Sequence, residues 1–258
     1  MFYLLSMLII CLGSSNLYAA IQTETIEYRH GDTLLEGYLA YDDEVKGMRP
    51  AILVVHDWLG VGPYVNKRTE ELAKLGYIAF AIDMYGKGVR PKNSEEAAAQ
   101  AGIYRKDRQL MRARANAGLD VLKKHKLTDI SRIAAIGYCF GGGTVLELAR
   151  SGVYLAGAVS FHGNLDTPNP EDAKNIKAKV FVLHGGDDPF VPQDQVTAFQ
   201  SEMRKAGVDW HMVIYGGAVH SFTIPDAGSD NSKGAAYNEK ADKRSWEAMK
   251  QFFIELFK

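Results

Sequence analysis

A cysteine stands in the sequence where a reactive nucleophile would be needed. Cys139 lies in the segment Gly137-Tyr138-Cys139-Phe140-Gly141-Gly142, where an apolar strand pattern gives way to a helix. This is the G-x-nucleophile-x-G pattern of a strand–turn–helix elbow, with cysteine in the position that serine usually holds. So sharp a turn leaves no room for side chains two residues to either side, which accounts for the glycines. The helix N-terminus that follows favours the thiolate, the form of cysteine that attacks an acyl carbon.

The base expected for this nucleophile is His220. It lies in the loop 216–222, which joins the last predicted strand to the last predicted helix. A general base in that loop can reach the elbow, and hydrolases of this type follow the chain order nucleophile, acid, histidine. The sequence therefore predicts a Cys-acid-His arrangement with its acid between residues 139 and 220.

Two adjacent aspartates compete for the acid position. Asp187 and Asp188 both lie in the turn that runs from His184 to Pro192. Neighbouring loop carboxylates point in different directions, so only one of them is expected to orient His220. Asp188 is preferred because the H-G-x-x-D spacing counted from His184 ends there.

A parallel sheet is the element that would bring these side chains together. Short apolar runs alternate with longer helical patterns, which is typical of βαβ units around a buried, mostly parallel sheet. Strands are predicted at 51–55, 78–82, 133–136, 155–160, 180–183 and 211–215, and helices at 66–75, 94–124, 144–150, 193–205 and 236–257. An antiparallel hairpin is predicted over 23–41. In open α/β sheets the chemistry lies beyond the carboxyl ends of the strands, so Cys139, Asp188 and His220 should meet at one edge.

The composition predicts one domain that binds a small molecule. Of 258 residues, 47% are hydrophobic, enough to bury a large core in a single domain over 21–258. Oligomerisation is then not needed for stability, and we expect a monomer or small homo-oligomer. The 30 basic residues are balanced by 31 acidic ones, which leaves no overall field to hold nucleic acid.

The first twenty residues have the layout of a secretory signal peptide. An apolar run from Phe2 to Leu12 is followed by polar residues and then by Ala19 and Ala20. The run is too short to span a bilayer, so no stable membrane insertion is expected once it is removed. The pattern favours export to the periplasm or beyond; a buried N-terminal strand in a cytoplasmic protein is the alternative. Cleavage would remove Cys11 and leave Cys139 without a disulfide partner.

Three segments together resemble the dienelactone hydrolase family of the α/β-hydrolase fold. They are the elbow 137–142, the turn 184–192 and the loop 216–222, and the resemblance extends over nearly the whole chain after residue 20. It implies an α/β-hydrolase fold without a cap domain, Cys139 as nucleophile, His220 as base and acid, and Asp188 holding the imidazole tautomer. It also implies cleavage of a small ester or lactone through a thioester acyl-enzyme, without cofactor or metal.

The resemblance further implies an oxyanion hole and a pocket that departs from the family's pattern. The backbone N–H groups of Phe140 and Trp58 are the implied oxyanion donors. Many members carry a glutamate that manages protonation of the thiol where this chain has Asp57. The best-known members bind the substrate carboxylate with arginines, whereas this chain has Ile224 at one such position. Lys87, near Tyr85, is its candidate cation at the other.

A lysine reproduces a bidentate arginine clamp poorly, so dienelactone is not expected to be the natural substrate. Asp57, Tyr85 and Lys87 are therefore predicted as thiol-tuning or pocket residues.

Other functions would use the same residues. A thioesterase or acyltransferase could employ the same triad, because the motif does not encode the acceptor of the acyl group. A non-catalytic exported binding protein is less favoured, since all three residue types are present in the required order. A metal site formed by His184, Asp187, Asp188 and His220 lacks the HExxH or paired-cysteine spacing of zinc sites.

Overall fold

A computed structural model describes residues 21–258, which form an eight-stranded sheet with helices on both faces. The predicted signal peptide lies outside the described residues. The strands are β1 Ile21–His30, β2 Thr33–Asp42, β3 Arg49–Val55, β4 Ile78–Ile82, β5 Thr128–Tyr138, β6 Gly157–Phe161, β7 Lys179–Gly185 and β8 Trp210–Tyr215. The α-helices are α1 Pro63–Lys74, α2 Ser94–Lys106, α3 Arg108–Lys124, α4 Phe140–Arg150, α5 Gln193–Ala206 and α6 Glu239–Leu256.

The order of the strands is that of an α/β-hydrolase. It runs β1-β2-β4-β3-β5-β6-β7-β8, so β6, β7 and β8 each lie beside the preceding strand. The β1–β2 hairpin is antiparallel and joins β4 in antiparallel fashion, whereas the pairs from β4 through β8 are parallel. The predicted mostly parallel sheet with an N-terminal antiparallel hairpin is confirmed. Between β6 and β7 the chain forms one short 3₁₀ helix, Pro170–Asn175, and no inserted domain.

The central strands are apolar throughout because both of their faces are covered. In β3, Leu53 and Val55 pack with α2, α3 and α4, while Ile52 and Val54 face α1 and α6. A strand that is buried on both faces does not show the alternation of polar and apolar residues that is typical of a half-exposed strand. The aromatic side chains of α6 lie in this second layer, with Met249, Phe252 and Phe253 fully or almost fully buried.

The helix predicted over 94–124 is wrong in one respect, because it is two helices. α2 ends at Lys106 and α3 begins at Arg108, with Asp107 between them. The Asp107 side chain accepts the Leu110 N–H at 2.9 Å and so caps α3, which favours a break at a residue that periodicity alone passes over. The helix predicted from 144 also begins earlier, at Phe140, since the glycines 141–143 continue it directly from the nucleophile.

The far end of α4 is fixed by buried ion pairs. Arg150 is 1% exposed and donates through Nε to Glu202 of α5 at 2.7 Å and through Nη1 to Glu147 at 3.1 Å. Arg112 of α3 approaches the same Glu147 at 2.8 Å. Removing one member would leave an uncompensated buried charge, so these contacts fix where α4 lies. The helix that directly follows the nucleophile is therefore fixed against α3 and α5 by these ion pairs.

The two edges of the sheet carry different connections. The loops that follow β3, β5, β6, β7 and β8 lie at the carboxyl edge, and the helix-to-strand turns 75–77, 151–156 and 207–209 lie at the opposite edge. Among residues 21–258, no helix combines the length and apolar character needed to cross a bilayer.

Candidate active site

The nucleophile elbow is a tight connection between β5 and α4. Cys139 has φ 53° and ψ −114°, a conformation that a non-glycine residue rarely adopts. A Cβ on Gly137 would lie 2.0 Å from the Gly141 carbonyl oxygen, and one on Gly141 would lie 2.2 Å from that of Val55. Glycine is therefore required at both positions by contact with backbone that cannot move aside. The strained turn places the Cys139 sulfur beyond the carboxyl edge of the sheet.

Cys139, His220 and Asp188 form one connected arrangement. His220 Nε2 lies 3.0 Å from Cys139 Sγ, and His220 Nδ1 lies 2.8 Å from Asp188 Oδ2. All three side chains are buried. They come from three loops that are far apart in sequence and meet because their parallel strands end at the same edge.

The turn after β7 separates the two aspartates. Asp188 is buried, and its Oδ1 accepts the Phe190 N–H at 2.8 Å while Oδ2 faces His220. Asp187 is exposed, and its backbone N–H donates to the Ala218 carbonyl at 3.0 Å. That backbone bond ties the turn to the histidine loop. The preference for Asp188 therefore agrees with the position of its carboxylate.

Backbone hydrogen bonds join the histidine loop to the segment 234–236. The His220 N–H donates to the Gly234 carbonyl at 3.1 Å, and the His220 carbonyl accepts from the Ala236 N–H at 3.0 Å. The imidazole makes edge-to-face contacts with the rings of Phe190 and His162, with centroid distances of 5.5 and 5.4 Å. These contacts and the hydrogen bond to Asp188 limit the orientations that the imidazole can adopt.

Electrostatics around His220 favour the imidazolium. Burial alone lowers the pKa of His220, but the neighbouring Cys139 and Asp188 outweigh burial and raise the pKa above its ordinary value. A positively charged imidazolium next to the sulfur stabilises the thiolate form of cysteine in a buried site. The arrangement can therefore hold a thiolate–imidazolium pair.

The implied oxyanion donors lie at the N-terminus of α4 and in the loop after β3. Phe140 is the first residue of α4, so its N–H has no acceptor within the helix. Trp58 follows β3, and its carbonyl accepts the Tyr85 hydroxyl at 3.1 Å. The Tyr85 ring contacts Phe140 at a centroid distance of 5.6 Å. Tyr85 thus contacts both of the residues whose N–H groups are the implied donors.

Lys87 is placed differently from the other predicted site residues. Its ammonium lies 3.2 Å from the Glu36 carboxylate and pairs also with Glu27, both on the hairpin strands β1 and β2. The side chain is 42% exposed. The structure therefore does not bring Lys87 together with the triad. Arg90, three residues further along the chain, lines a cavity beside Asp57.

A cavity of about 280 Å³ lies beside Asp57. Its lining includes Tyr64, Arg90, Ile224 and Asp226. Larger hollows are found elsewhere, including one of about 590 Å³ beside α5. Neither lining includes a triad residue, but the smaller cavity is lined by Asp57, one of the predicted pocket residues.

Asp57 is a buried carboxyl group whose main partner is backbone. Its Oδ1 accepts the Leu59 N–H at 2.7 Å. Burial raises the pKa of Asp57 to about 6, with the Leu59 hydrogen bond and the charge of His220 acting in the opposite direction. This carboxyl group therefore titrates at a higher pH than an ordinary aspartate and is mostly ionised at neutral pH.

Replacing Asp57 by asparagine should stabilise the protein at neutral pH. The folded state holds the Asp57 proton more tightly than the unfolded chain, so this group's contribution to stability is full at low pH and is lost as pH rises through about 4 to 6. The Asp57→Asn variant escapes this loss, and we expect its free energy of unfolding at pH 7.5 to exceed the wild type by roughly 1–3 kcal/mol. Urea unfolding at pH 4 and pH 7.5 measures the difference, which should vanish at pH 4. Asp226→Asn, at an exposed aspartate of the same cavity, is the control; equal pH slopes for Asp57→Asn and wild type would contradict the prediction.

Behind the triad lies a group of buried polar residues to which the sequence pattern assigns no role. His162 follows β6, accepts the Cys139 N–H through Nδ1 at 3.2 Å, and lies 2.7 Å from Thr223 Oγ1 through Nε2. The signal was available, because His162 follows a parallel strand at the edge where Cys139 follows another. Among residues 21–258, no cluster of three or more His, Cys, Asp or Glu side chains has the arrangement of a metal site.

Comparison with known proteins places this geometry in a family. A model of the dienelactone hydrolase family matches residues 35–257. The solved structure titled m3DLH is similar at 39% identity and a TM-score of 0.89, covering 93% of this chain and 100% of its own. A dienelactone hydrolase-like promiscuous phosphotriesterase from metagenomic libraries is similar at 39% identity and a TM-score of 0.88, with the same coverage.

A sequence relative from Bradyrhizobium sp. has a name that states a reaction. It is named "Probable 2-oxo-3-(5-oxofuran-2-ylidene)propanoate lactonase" and is 27% identical over 213 residues, covering 78% of this chain and 86% of its own. The family match covers most of the chain, and the similar structures span nearly all of it. The chain therefore belongs to the dienelactone hydrolase family of ester and lactone hydrolases.

Proposed function

We propose that this protein hydrolyses small esters or lactones with Cys139 as nucleophile, His220 as base and acid, and Asp188 as the orienting carboxylate. The observation that carries the proposal is the continuous contact from Sγ to Nε2 at 3.0 Å and from Nδ1 to Oδ2 at 2.8 Å. The strained backbone of Cys139 supports it, because strain of this kind persists where the surrounding structure holds a reactive side chain in place.

Acylation begins with attack of the Cys139 thiolate on the acyl carbon. A C–S bond forms while the carbonyl π electrons move to oxygen, and the N–H groups of Phe140 and Trp58 stabilise the resulting oxyanion. When the intermediate collapses, the C–O bond to the leaving group breaks and the leaving oxygen takes the proton from His220 Nε2. Each oxyanion donor contributes about 3 kcal/mol of transition-state stabilisation in enzymes of this kind.

Deacylation uses the same groups in reverse. Neutral His220 takes a proton from water as the water oxygen attacks the thioester carbon, and the C–S bond then breaks. The products are the free acid and the thiolate–imidazolium pair. Asp188 keeps hydrogen on Nδ1 in both half-reactions, so Nε2 is free to accept and return the proton.

The cavity beside Asp57 is proposed to hold part of the substrate, because the charge of His220 acts on this carboxyl group. Its volume of about 280 Å³ suits a small group. Arg90 and the nearby carboxyl groups give its lining mixed polarity. The lactonase name of the Bradyrhizobium relative supports a lactone as one substrate class.

Phosphotriesters form a second candidate class, favoured by the relative that is 39% identical and titled a promiscuous phosphotriesterase. Attack of the thiolate on phosphorus would form a P–S bond and expel an aryloxide. Water activated by His220 would then cleave the P–S bond and release the phosphodiester.

The acyl-enzyme is the species that tests the proposal. The protein is mixed with excess p-nitrophenyl ester, quenched in acid within the first turnover and analysed by intact and peptide mass spectrometry. We expect one acyl group on the peptide that contains Cys139, and none on Cys139→Ala or on protein alkylated at Cys139. Turnover without any adduct, or full activity after stoichiometric alkylation, would overturn the covalent mechanism.

A substrate panel separates the candidate reactions. It contains small lactones, alkyl esters, thioesters and a p-nitrophenyl phosphotriester, each with and without an alcohol acceptor. Hydrolysis that is unchanged by the acceptor supports the hydrolase, whereas a transferred ester product or a preference for thioesters favours the transferase or thioesterase alternative.

The N-terminal pattern adds a proposal about location. Residues 1–20 are proposed to direct export and to be removed. The mature chain would then retain Cys139 as its one cysteine, so the reactive thiol would have no intramolecular disulfide partner.

A further inference from the structure

Behind the triad lies a series of buried polar groups that neither half-reaction uses. It runs from His162 through Thr223 and Tyr64 to Arg68 and Asp242, and we call it the buried polar chain. His162 and Thr223 are 0% exposed, and Arg68 and Asp242 are also buried. Burial of so many polar groups is costly unless each has a partner, so their arrangement calls for a physical account.

The hydrogen bonds fix the tautomer of His162. The Cys139 N–H is shared between the Phe161 carbonyl oxygen at 3.0 Å and His162 Nδ1 at 3.2 Å. A backbone N–H can only donate, so Nδ1 must be the acceptor and the ring hydrogen of neutral His162 lies on Nε2. Nε2–H then donates to Thr223 Oγ1 at 2.7 Å.

The same reasoning continues beyond Thr223. Since Thr223 Oγ1 accepts from His162, its own hydrogen is available for the Tyr64 hydroxyl oxygen at 2.6 Å. That oxygen also accepts from Arg68 Nε at 3.3 Å. Arg68 Nη2 donates to the Thr223 carbonyl at 3.2 Å and to the Asp242 carboxylate. Donation therefore runs from the elbow through His162 and Thr223 to the Tyr64 hydroxyl, and the bonds from Arg68 arrive from the opposite side.

Two neighbouring members of the buried polar chain touch segments that carry the triad. His162 accepts the backbone N–H of Cys139, and Thr223, which is bonded to His162, lies three residues after His220. Between them the His162 ring packs against the His220 ring at 5.4 Å. A change in the His162 tautomer would set Nδ1–H against the Cys139 N–H and leave Nε2 beside the Thr223 hydroxyl.

We propose that His162 is a positioning residue, kept neutral with its hydrogen on Nε2, through which the Thr223 hydroxyl sets the separation of Cys139 Sγ and His220 Nε2. This inference rests on the proposed function of the triad. The titratable groups that face His162 are His220, His184 and Arg68, which are all potential cations. Burial is the main effect that lowers the pKa of His162, and these neighbours lower it further. His162 therefore stays neutral, and the imidazolium of His220 is the one that pairs with the sulfur.

The test uses the full-length protein and two matched variants. Thr223→Val removes the hydroxyl at nearly constant volume, and Thr223→Ser keeps the hydroxyl. With the Val variant we expect the pH profile of Cys139 alkylation by iodoacetamide to shift and kcat for an alkyl ester to fall by roughly 10–100-fold with KM little changed. The Ser variant should restore both properties towards the wild type. A Val variant that is folded and has the wild-type alkylation profile and kcat would overturn the proposal.

A second measurement needs no variant. The ¹⁵N chemical shifts of the histidine rings report which nitrogen carries hydrogen, and His162 in the wild type should show Nε2–H at neutral pH. Finding the Nδ1–H tautomer or a cationic His162 would overturn the proposal even if Thr223→Val fails to fold. Alkylation and NMR require no substrate, so the absence of esterase activity would count against the proposed function and not against the role of His162.

Discussion

Replacing His220 by alanine is expected to lower kcat/KM for ester hydrolysis by about 10⁴–10⁶-fold. The variant loses the imidazole 3.0 Å from Cys139 Sγ that pairs with the thiolate, protonates the leaving oxygen and activates water. Steady-state kinetics on an alkyl ester and on a p-nitrophenyl ester of the same acid measure the loss. The deficit should be larger for the alkyl ester, because an alkoxide needs protonation to leave and p-nitrophenolate does not.

His211→Ala provides the control for a lost histidine. His211 lies on the exposed edge strand β8, where its ring packs on Phe181 at 3.9 Å, outside the triad. We expect its kcat/KM to stay within about twofold of the wild type, as for surface substitutions away from a site. If His220→Ala retained most of the activity on both esters, another base would have to serve Cys139 and the assignment would be wrong.

Replacing Asp188 by asparagine is expected to lower kcat for ester hydrolysis by about 10⁴-fold. The amide has only one oxygen, and the Phe190 N–H that donates to Asp188 Oδ1 at 2.8 Å requires it. The NH₂ group then faces His220 Nδ1, which must accept. The ring hydrogen moves to Nε2, so the imidazole can no longer take a proton from the sulfur or from water.

Asp187→Asn is the matched control, since it makes the same change one residue away at an exposed side chain. Its kcat is expected to stay within about twofold of the wild type. Kinetics are measured for both variants after circular dichroism has verified folding. A similar loss in both variants, or no loss in Asp188→Asn, would contradict the role given to the Asp188 carboxylate.

The parts of the site that could be predicted from the sequence are those fixed by strand ends. The elbow, the turn 184–192 and the loop 216–222 each follow a short apolar run, and parallel strands place such loops at one edge. The choice of Asp188 over Asp187 rested on spacing alone. In the structure the Asp188 carboxylate is buried against His220 and Asp187 is exposed.

Other features depend on contacts that periodicity does not encode. The break at Asp107 depends on a capping hydrogen bond, which competes with continuation of the helix. The start of α4 at Phe140 was obscured by glycines, which have poor helix propensity yet are needed for close approach to the β3 loop. A local hydrogen bond thus sets the first position, and tertiary packing sets the second.

The surroundings of the triad were the least predictable part. Lys87 precedes Arg90 by three residues, but its pairing with Glu27 and Glu36 depends on a hairpin that is distant in sequence. The buried polar chain joins residues from α1, α6 and the loops after β6 and β8. Partners separated by up to 174 positions leave no local pattern to find.

The separation of the two sheet edges has a practical consequence for attaching this protein to other materials. The groups proposed to perform the chemistry lie at the carboxyl edge, whereas the turns 75–77 and 207–209 lie at the other. A side chain added at Gly76 or Gly207 would meet no atom within 4 Å, although its backbone angle would cost some stability. Surface immobilisation or insertion of a fusion partner at these turns would leave the carboxyl edge, with its proposed catalytic groups, facing the solution.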